Sequence, residues 1–218
     1  MLDRHPDLAI PAETHFIPAV LQTSPTGAAL RRDEFVHRIT SSFTWADFGL
    51  SKDDFCSAVA TMDPFSPADG LRAFYRLCAD AQNKPRWGDK TPTYTDSITA
   101  ISALLPEAYF IHVIRDGRAV AASRRHLSFG PGPDIVSQAR DWGRKIRNAR
   151  IQAAFCPQYM EIRYEELVCN PESVLRNICF HIGLTYNPAM VEYQTAAETR
   201  LAKFRDWRLP SGEVISAG

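Results

Sequence analysis

The chain has 218 residues, 45% of them hydrophobic and 23% charged, with 25 Lys and Arg balanced by 25 Asp and Glu. That length suits one α/β domain with a single core (residues 1–218), and the composition excludes an intrinsically disordered chain. Zero formal charge argues against a nucleic-acid coat or an acidic tail, and no apolar run approaches the roughly 18–20 residues that span a bilayer.

The N-terminus lacks a charged stretch followed by an apolar one, so it does not read as a secretory signal. Five cysteines, Cys56, Cys78, Cys156, Cys169 and Cys179, are scattered without a CxxC pair. This usage fits reduced thiols in a cytoplasmic protein. The six histidines show no metal-ligand spacing, so no metal is expected.

In chain order, "LDRHPD" reads as the last turn of a helix meeting a proline, with no helix in front of it. Ser51 caps a short helix, "SKDDFCSAVATM". Ser66 caps the next, with Pro67 at its first position and Leu71, Phe74, Tyr75 and Cys78 along one stripe. After "RWGDKTP", "TYTDSITAISALLP" forms a helix ended by Pro106. "YFIHVIR" (Tyr109 to Arg115) is a run of β-branched and aromatic residues suited to a buried strand, and "DGRAVAASRRH" starts a helix at once. "SFGPGPD" (Ser128 to Asp134) is a loop. The helix "DIVSQARDWGRKIRNARIQAAF" places Ile135, Ala139, Trp142, Ile146 and Ala149 on its apolar face. "YMEIRY" is a second strand, and "NPESVLRNICFHIG" a helix opened by Asn170 and Pro171 and closed by Gly183. The tail after Leu184 carries no clear signal.

Single strands alternating with helices predict a parallel sheet covered on both faces, with chemistry at the carboxyl ends of its strands. Arg115 ends a strand and Ser123 follows eight residues later, about two helical turns along. Together they can hold a phosphate through a charge-assisted bond and a hydroxyl donor. A surface arginine and a space-filling serine are the plain alternative. From Arg115 to Arg150 the chain holds nine Arg or Lys against three Asp, a local excess that favours a polyanionic ligand such as a nucleotide. Arg140, Arg144, Arg147 and Arg150, at helical spacing, read as a solvated face.

"IHVIRDGRAVAAS" resembles the 3′-phosphate-binding segment of sulfotransferases that use 3′-phosphoadenosine 5′-phosphosulfate (PAPS). "WGDKTPTY", "YMEIRYEELVCNPESVLRNICFHIGL" and "MLDRHPDLAIPAETHFIP" are similar to further segments of that family, in the right order, the last closest to the tyrosylprotein group. The resemblance implies a P-loop NTPase-like three-layer fold and PAPS as co-substrate, with a hydroxyl- or amine-bearing acceptor whose class the sequence does not specify. It implies Arg115 and Ser123 as the 3′-phosphate clamp. It also implies Glu13 as the base that takes the acceptor proton, Lys90 as electrostatic stabiliser of the transferring group, and Tyr164 beside the nucleotide. A capping or salt-bridging Glu13, a Lys90 paired with Asp89 and a packing Tyr164 are the corresponding structural alternatives. His15, two residues from Glu13, is a candidate for lining the acceptor site. Glu165 and Glu166 are expected to cap the helix that follows them, Trp87 and Trp142 to be core, and His112 to be a satisfied core histidine.

The family's PRSGTT-like phosphosulfate loop and its first strand have no counterpart here, nor does any G-x-x-x-x-G-K-[ST]. The expectation is therefore a chain impaired in catalysis as written. Met1 would then be internal to a longer protein, or the chain a truncated paralogue, or the loop supplied by a partner chain. A non-catalytic binder of adenosine 3′,5′-bisphosphate and a P-loop kinase relative are the alternatives.

Overall fold

A computed structural model of the chain describes residues 1–22, 30–124, 132, 134–193, 206–208 and 214–216. They fall into two compact units, 1–91 with 187–218, and 92–186.

The first unit opens with a single 3-10 turn, Leu2–Arg4, where a helix end was expected. The strand β1 (Leu8–Ala9) follows, then the helices α1 (Ile17–Leu21), α2 (Arg32–Thr40), α3 (Lys52–Ala60) and α4 (Pro67–Asp80), and the strand β2 (Arg86–Trp87). Two predicted caps form: Ser51 accepts from the Asp54 amide and Ser66 from the Asp69 amide. The stripe read on α4 is the core, with Leu71, Phe74 and Tyr75 at most 1% exposed. Phe74 meets Phe16 and Phe48 edge-on at 5.0 and 4.9 Å between ring centroids. Full burial of each such ring contributes about 1.5–3 kcal/mol. Gly70 is required by this packing, because a Cβ there would lie 2.4 Å from Cε1 of buried Phe35.

β1 and β2 pair in parallel, Leu8 with Arg86 and Ala9 with Trp87. Neither was legible as a strand, since two residues show no period. Lys84 pins the pair by donating from Nζ to the Asp3 and Leu8 carbonyls at 2.6 and 3.0 Å. Trp87 stacks on Tyr75, with centroids 4.6 Å apart and planes inclined by 10°. The otherwise uninformative tail contains an antiparallel pair, β5 (Asp206–Arg208) with β6 (Val214–Ser216).

The second unit holds α5 (Ile98–Leu104), β3 (Phe110–Ile114), α6 (Gly117–Arg124), α7 (Ile135–Ala153), β4 (Tyr159–Arg163), α8 (Tyr164–Cys169) and α9 (Pro171–His181). The single helix expected before Pro106 is split, with a 3-10 segment at Pro92–Asp96 ahead of α5. β3 and β4 pair in parallel from Phe110 with Tyr159 to Ile114 with Arg163. The residues after each strand, Arg115 and Tyr164, thus emerge side by side at the carboxyl ends. Ile98, Ala149 and Cys156 form a core cluster against which Phe110 and Tyr159 pack.

Asp134 caps α7 by accepting from the Ser137 amide at 2.7 Å. Ile135 and Ala139, placed on the apolar face by their spacing, are both exposed, Ile135 at 61%; at the start of α7 the stripe runs past the packed surface. His112 is satisfied as expected, its Nδ1 2.6 Å from the Tyr159 hydroxyl. Burial holds that imidazole below its ordinary pKa. Of the predicted loop at 128–134, only residues 132 and 134 lie among those described.

Candidate functional site

Each unit carries part of the predicted constellation, at the carboxyl end of its parallel strand pair. In the first unit the pairing of Ala9 with Trp87 brings the continuations "IPAETH" and "GDKT" side by side. The Thr14 amide donates to Thr91 Oγ1 at 3.0 Å, and the Thr14 hydroxyl donates to Asp89 Oδ2 at 2.7 Å. The Tyr75 hydroxyl donates to the same oxygen at 2.8 Å, and the Thr44 hydroxyl to the Thr14 carbonyl at 3.0 Å.

That scaffold presents Glu13. Its Oε1 is ion-paired with Lys90 Nζ, and its Oε2 lies 3.1 Å from His15 Nε2. The Glu13 side chain is 13% exposed, against 62% for Lys90. His15 has a left-handed backbone, φ 55°, and its ring lies against exposed Phe43 with centroids 5.5 Å apart. A water-shielded carboxylate with an ammonium on one oxygen and an imidazole on the other can accept and pass on a proton.

Asp89 sits behind this group. Burial pushes its carboxyl up from the ordinary value, the Thr14, Thr91 and Tyr75 hydroxyls pull it back, and the Glu13 charge adds to the rise. Its Oδ1 is shielded from solvent, and no hydrogen bond of good geometry reaches it. The neighbouring Cys78 thiol is pushed up to about 12, first by burial and then by Asp89.

In the second unit the Arg115 guanidinium lies over the Tyr164 ring, 4.8 Å from its centroid. Both residues are exposed. The Arg115 carbonyl accepts from Trp142 Nε1 at 3.1 Å, and the Asp116 amide donates to Glu165 Oε1 at 2.8 Å. The Asp116 side chain turns back onto Arg118, accepting from its amide and its guanidinium at 2.8 Å each. These bonds hold the Asp116 carboxyl well below the usual carboxylate range. Gly117 permits the close approach of α7, since a Cβ there would lie 3.1 Å from the Trp142 ring. Ser123 lies exposed on α6, and among the described residues no hydrogen bond joins it to Arg115. On α6, Ala121 is buried, Ala119 half-buried and Ala122 exposed.

Trp87 and Trp142, expected in the core, are both half-buried, and Trp142 and Glu165 make contacts that the sequence did not suggest. The Trp142 indole N–H donates to the Arg115 carbonyl in the turn after β3. Glu165 reaches across 49 residues of sequence to the turn after β3, beyond the capping role expected for it. Neither contact leaves a local signal: that of Glu165 follows from the pairing of β3 with β4, and that of Trp142 from the packing of α7 against the turn after β3. Arg140, Arg144, Arg147 and Arg150 are exposed as expected, with Arg144 on Asp141 and Arg150 on Glu161, each at closest 2.7 and 2.8 Å.

Residues 1–188 match the sequence profile of the sulfotransferase family. The chain belongs to that family. The protein-tyrosine sulfotransferase of Drosophila melanogaster is 25% identical over 201 residues, covering 89% of this chain and 36% of that protein. Protein-tyrosine sulfotransferase 1 of Danio rerio is 25% identical, covering 89% of this chain and 51% of that protein. The omega-hydroxy-beta-dihydromenaquinone-9 sulfotransferase of Mycobacterium bovis is 31% identical over 122 residues, 48% of this chain and 31% of that protein. The chain thus spans between about a third and a half of the length of these relatives.

Among solved structures, the sulfotransferase domain from the curacin biosynthetic pathway is similar at a TM-score of 0.56, with 20% identity over 87% of this chain and 69% of that one. The sulfotransferase domain of the Synechococcus PCC 7002 olefin synthase is similar at 0.51, with 21% identity over 87% and 68%. This sulfotransferase-family chain shares with them the P-loop NTPase-like α/β fold that its sequence implied. Sulfuryl transfer is the chemistry of the family, which sets aside the kinase reading. Among the described residues no helix is long and apolar enough to cross a membrane, and no group of three or more metal-type ligands occurs.

Proposed function

We propose that this chain carries the acceptor base and the 3′-phosphate clamp of a sulfotransferase that uses PAPS. The reading rests above all on the Glu13 carboxylate, water-shielded and engaged by Lys90, in a chain of this family. The acceptor is a hydroxyl or amine. The relatives named for protein tyrosine and for an omega-hydroxy menaquinone favour the hydroxyl.

The acceptor oxygen attacks sulfur in line. The new O–S bond forms as the bond from sulfur to the 5′-phosphate oxygen breaks, and adenosine 3′,5′-bisphosphate leaves. Glu13 takes the acceptor's proton as attack proceeds, and Lys90 neutralises negative charge developing around the transferring group. Arg115 provides the charge-assisted bonds to the 3′-phosphate, Ser123 a hydroxyl donor, and Tyr164 the aromatic surface beside the nucleotide.

The 218 residues include no glycine-rich phosphosulfate cradle, so this chain by itself is expected to transfer slowly while still binding adenosine 3′,5′-bisphosphate. A non-catalytic nucleotide binder is the second reading, favoured by the proximity of Arg115 and Tyr164 within one unit. Sulfuryl transfer from PAPS, measured beside a version extended upstream by a strand and a PRSGT-like turn, separates the two. Transfer that appears only on extension supports the enzyme reading. No transfer from either, with bisphosphate bound, supports the binder. Absence of both binding and transfer rejects both.

A further inference from the structure

An exposed arginine has four rotatable side-chain bonds, so its use against one particular phosphate depends on what fixes it. Arg115 is fixed at three places. Its guanidinium lies over the Tyr164 ring, its carbonyl is held by Trp142 Nε1 from α7, and the next amide is held by Glu165 Oε1 from α8. The two backbone bonds straddle the peptide that follows Arg115, and they come from separate elements. Gly117 keeps the space that lets the Trp142 ring come close enough.

Glu165 is an unexpected residue at this place. The turn opens α6, where the Arg118 amide is taken by the Asp116 carboxylate and the Asp116 amide by that of Glu165. A negative charge there opposes an incoming phosphate, so electrostatics alone does not account for it. Fixing the backbone does. Its second oxygen, shielded and without a hydrogen bond, lies 3.6 Å from Arg163 Nε on the adjoining strand end.

We infer that Trp142 and Glu165 are positioning residues that aim Arg115, and that they thereby set selectivity for nucleotides carrying a 3′-phosphate. The inference rests on the nucleotide reading above. It concerns how the clamp is held, because neither side chain is assigned a contact with ligand.

The test is isothermal titration calorimetry on the 218-residue chain with adenosine 3′,5′-bisphosphate and with adenosine 5′-phosphate. The parent is expected to prefer the bisphosphate by about tenfold or more, and Arg115→Ala to abolish the preference. Trp142→Phe keeps an aromatic ring but loses the N–H donor; Glu165→Ala loses the acceptor. Each is expected to reduce the preference at least about threefold while leaving adenosine 5′-phosphate affinity unchanged. Glu165→Gln keeps an acceptor oxygen without the charge, and is expected to retain the preference.

Equal losses for both nucleotides in Trp142→Phe and Glu165→Ala, or an undiminished preference, would overturn the inference while leaving the nucleotide reading intact. A parent that does not distinguish the two nucleotides overturns that reading, and the inference with it. Hydrogen exchange at the Asp116 amide supplies a ligand-free readout. Glu165→Ala should accelerate it and Glu165→Gln should not; no change in Glu165→Ala also counts against the inference.

Discussion

Lys90 ion-pairs with Glu13, 77 residues away in sequence, and not with its chain neighbour Asp89. The two charges flanking the β2 exit thus have separate duties: Lys90 faces the candidate base, while Asp89 turns inward to the Thr14 and Tyr75 hydroxyls.

This division predicts how substitutions should divide between turnover and binding. Glu13→Gln should lower kcat for sulfuryl transfer from PAPS by about 100-fold or more, within the range for losing a general base. Lys90→Ala should lower it by about 100- to 1,000-fold, as for a lost charge stabiliser. Calorimetry should show adenosine 3′,5′-bisphosphate affinity little changed in either, because that contact is assigned to Arg115.

Asp89 gives a pH-dependent signature in stability. Burial raises its pKa in the folded chain, so the fold favours the neutral acid. That stabilisation is fully present below the unfolded-state value, near 3.9, and is lost as pH rises through the higher folded-state value. Asp89→Asn has no such proton to lose. The Tm of the parent should therefore fall relative to that of Asp89→Asn as pH is raised from about 4 through this window. Parallel pH profiles in thermal denaturation would contradict it.

Gly70→Ala should destabilise the first unit although alanine is the better helix former. The added methyl meets the buried Phe35 ring at 2.4 Å, and overpacking of this kind costs about 1–3 kcal/mol. Tm in differential scanning calorimetry should drop by several degrees.

The cysteines should differ sharply in reactivity. Cys169 is exposed, whereas Cys78 is 4% exposed with its thiol pushed up to about 12. With a disulfide reagent at pH 8, Cys169 should react in the native state and Cys78 only after unfolding.

Sequence reading reached furthest where local chemistry decides the structure. The run from Phe110 to Ile114 is β-branched and aromatic, and it passes directly into a helix, so β3, α6 and the strand-end place of Arg115 could be anticipated, although of the strand expected to be buried only Ile114 is. The caps at Ser51 and Ser66 are equally local. β1 and β2, two residues each, exist only because they pair with each other. The contact of Glu165 likewise depends on the register that sets Ile114 beside Arg163. Trp142 falls on the apolar spacing of α7, and nothing nearby in sequence announces that its N–H points to a carbonyl 27 residues away.

The short pairing of β1 with β2 makes spacing a functional property of this chain. From Ala9 to Glu13 there are three intervening residues, Ile10, Pro11 and Ala12; from Trp87 to Lys90 there are two, Gly88 and Asp89. A single insertion or deletion in either connector would shift carboxylate against ammonium by up to the span of one residue, at most about 3.6 Å. Over those few positions the count of residues should be held more strictly than their kind.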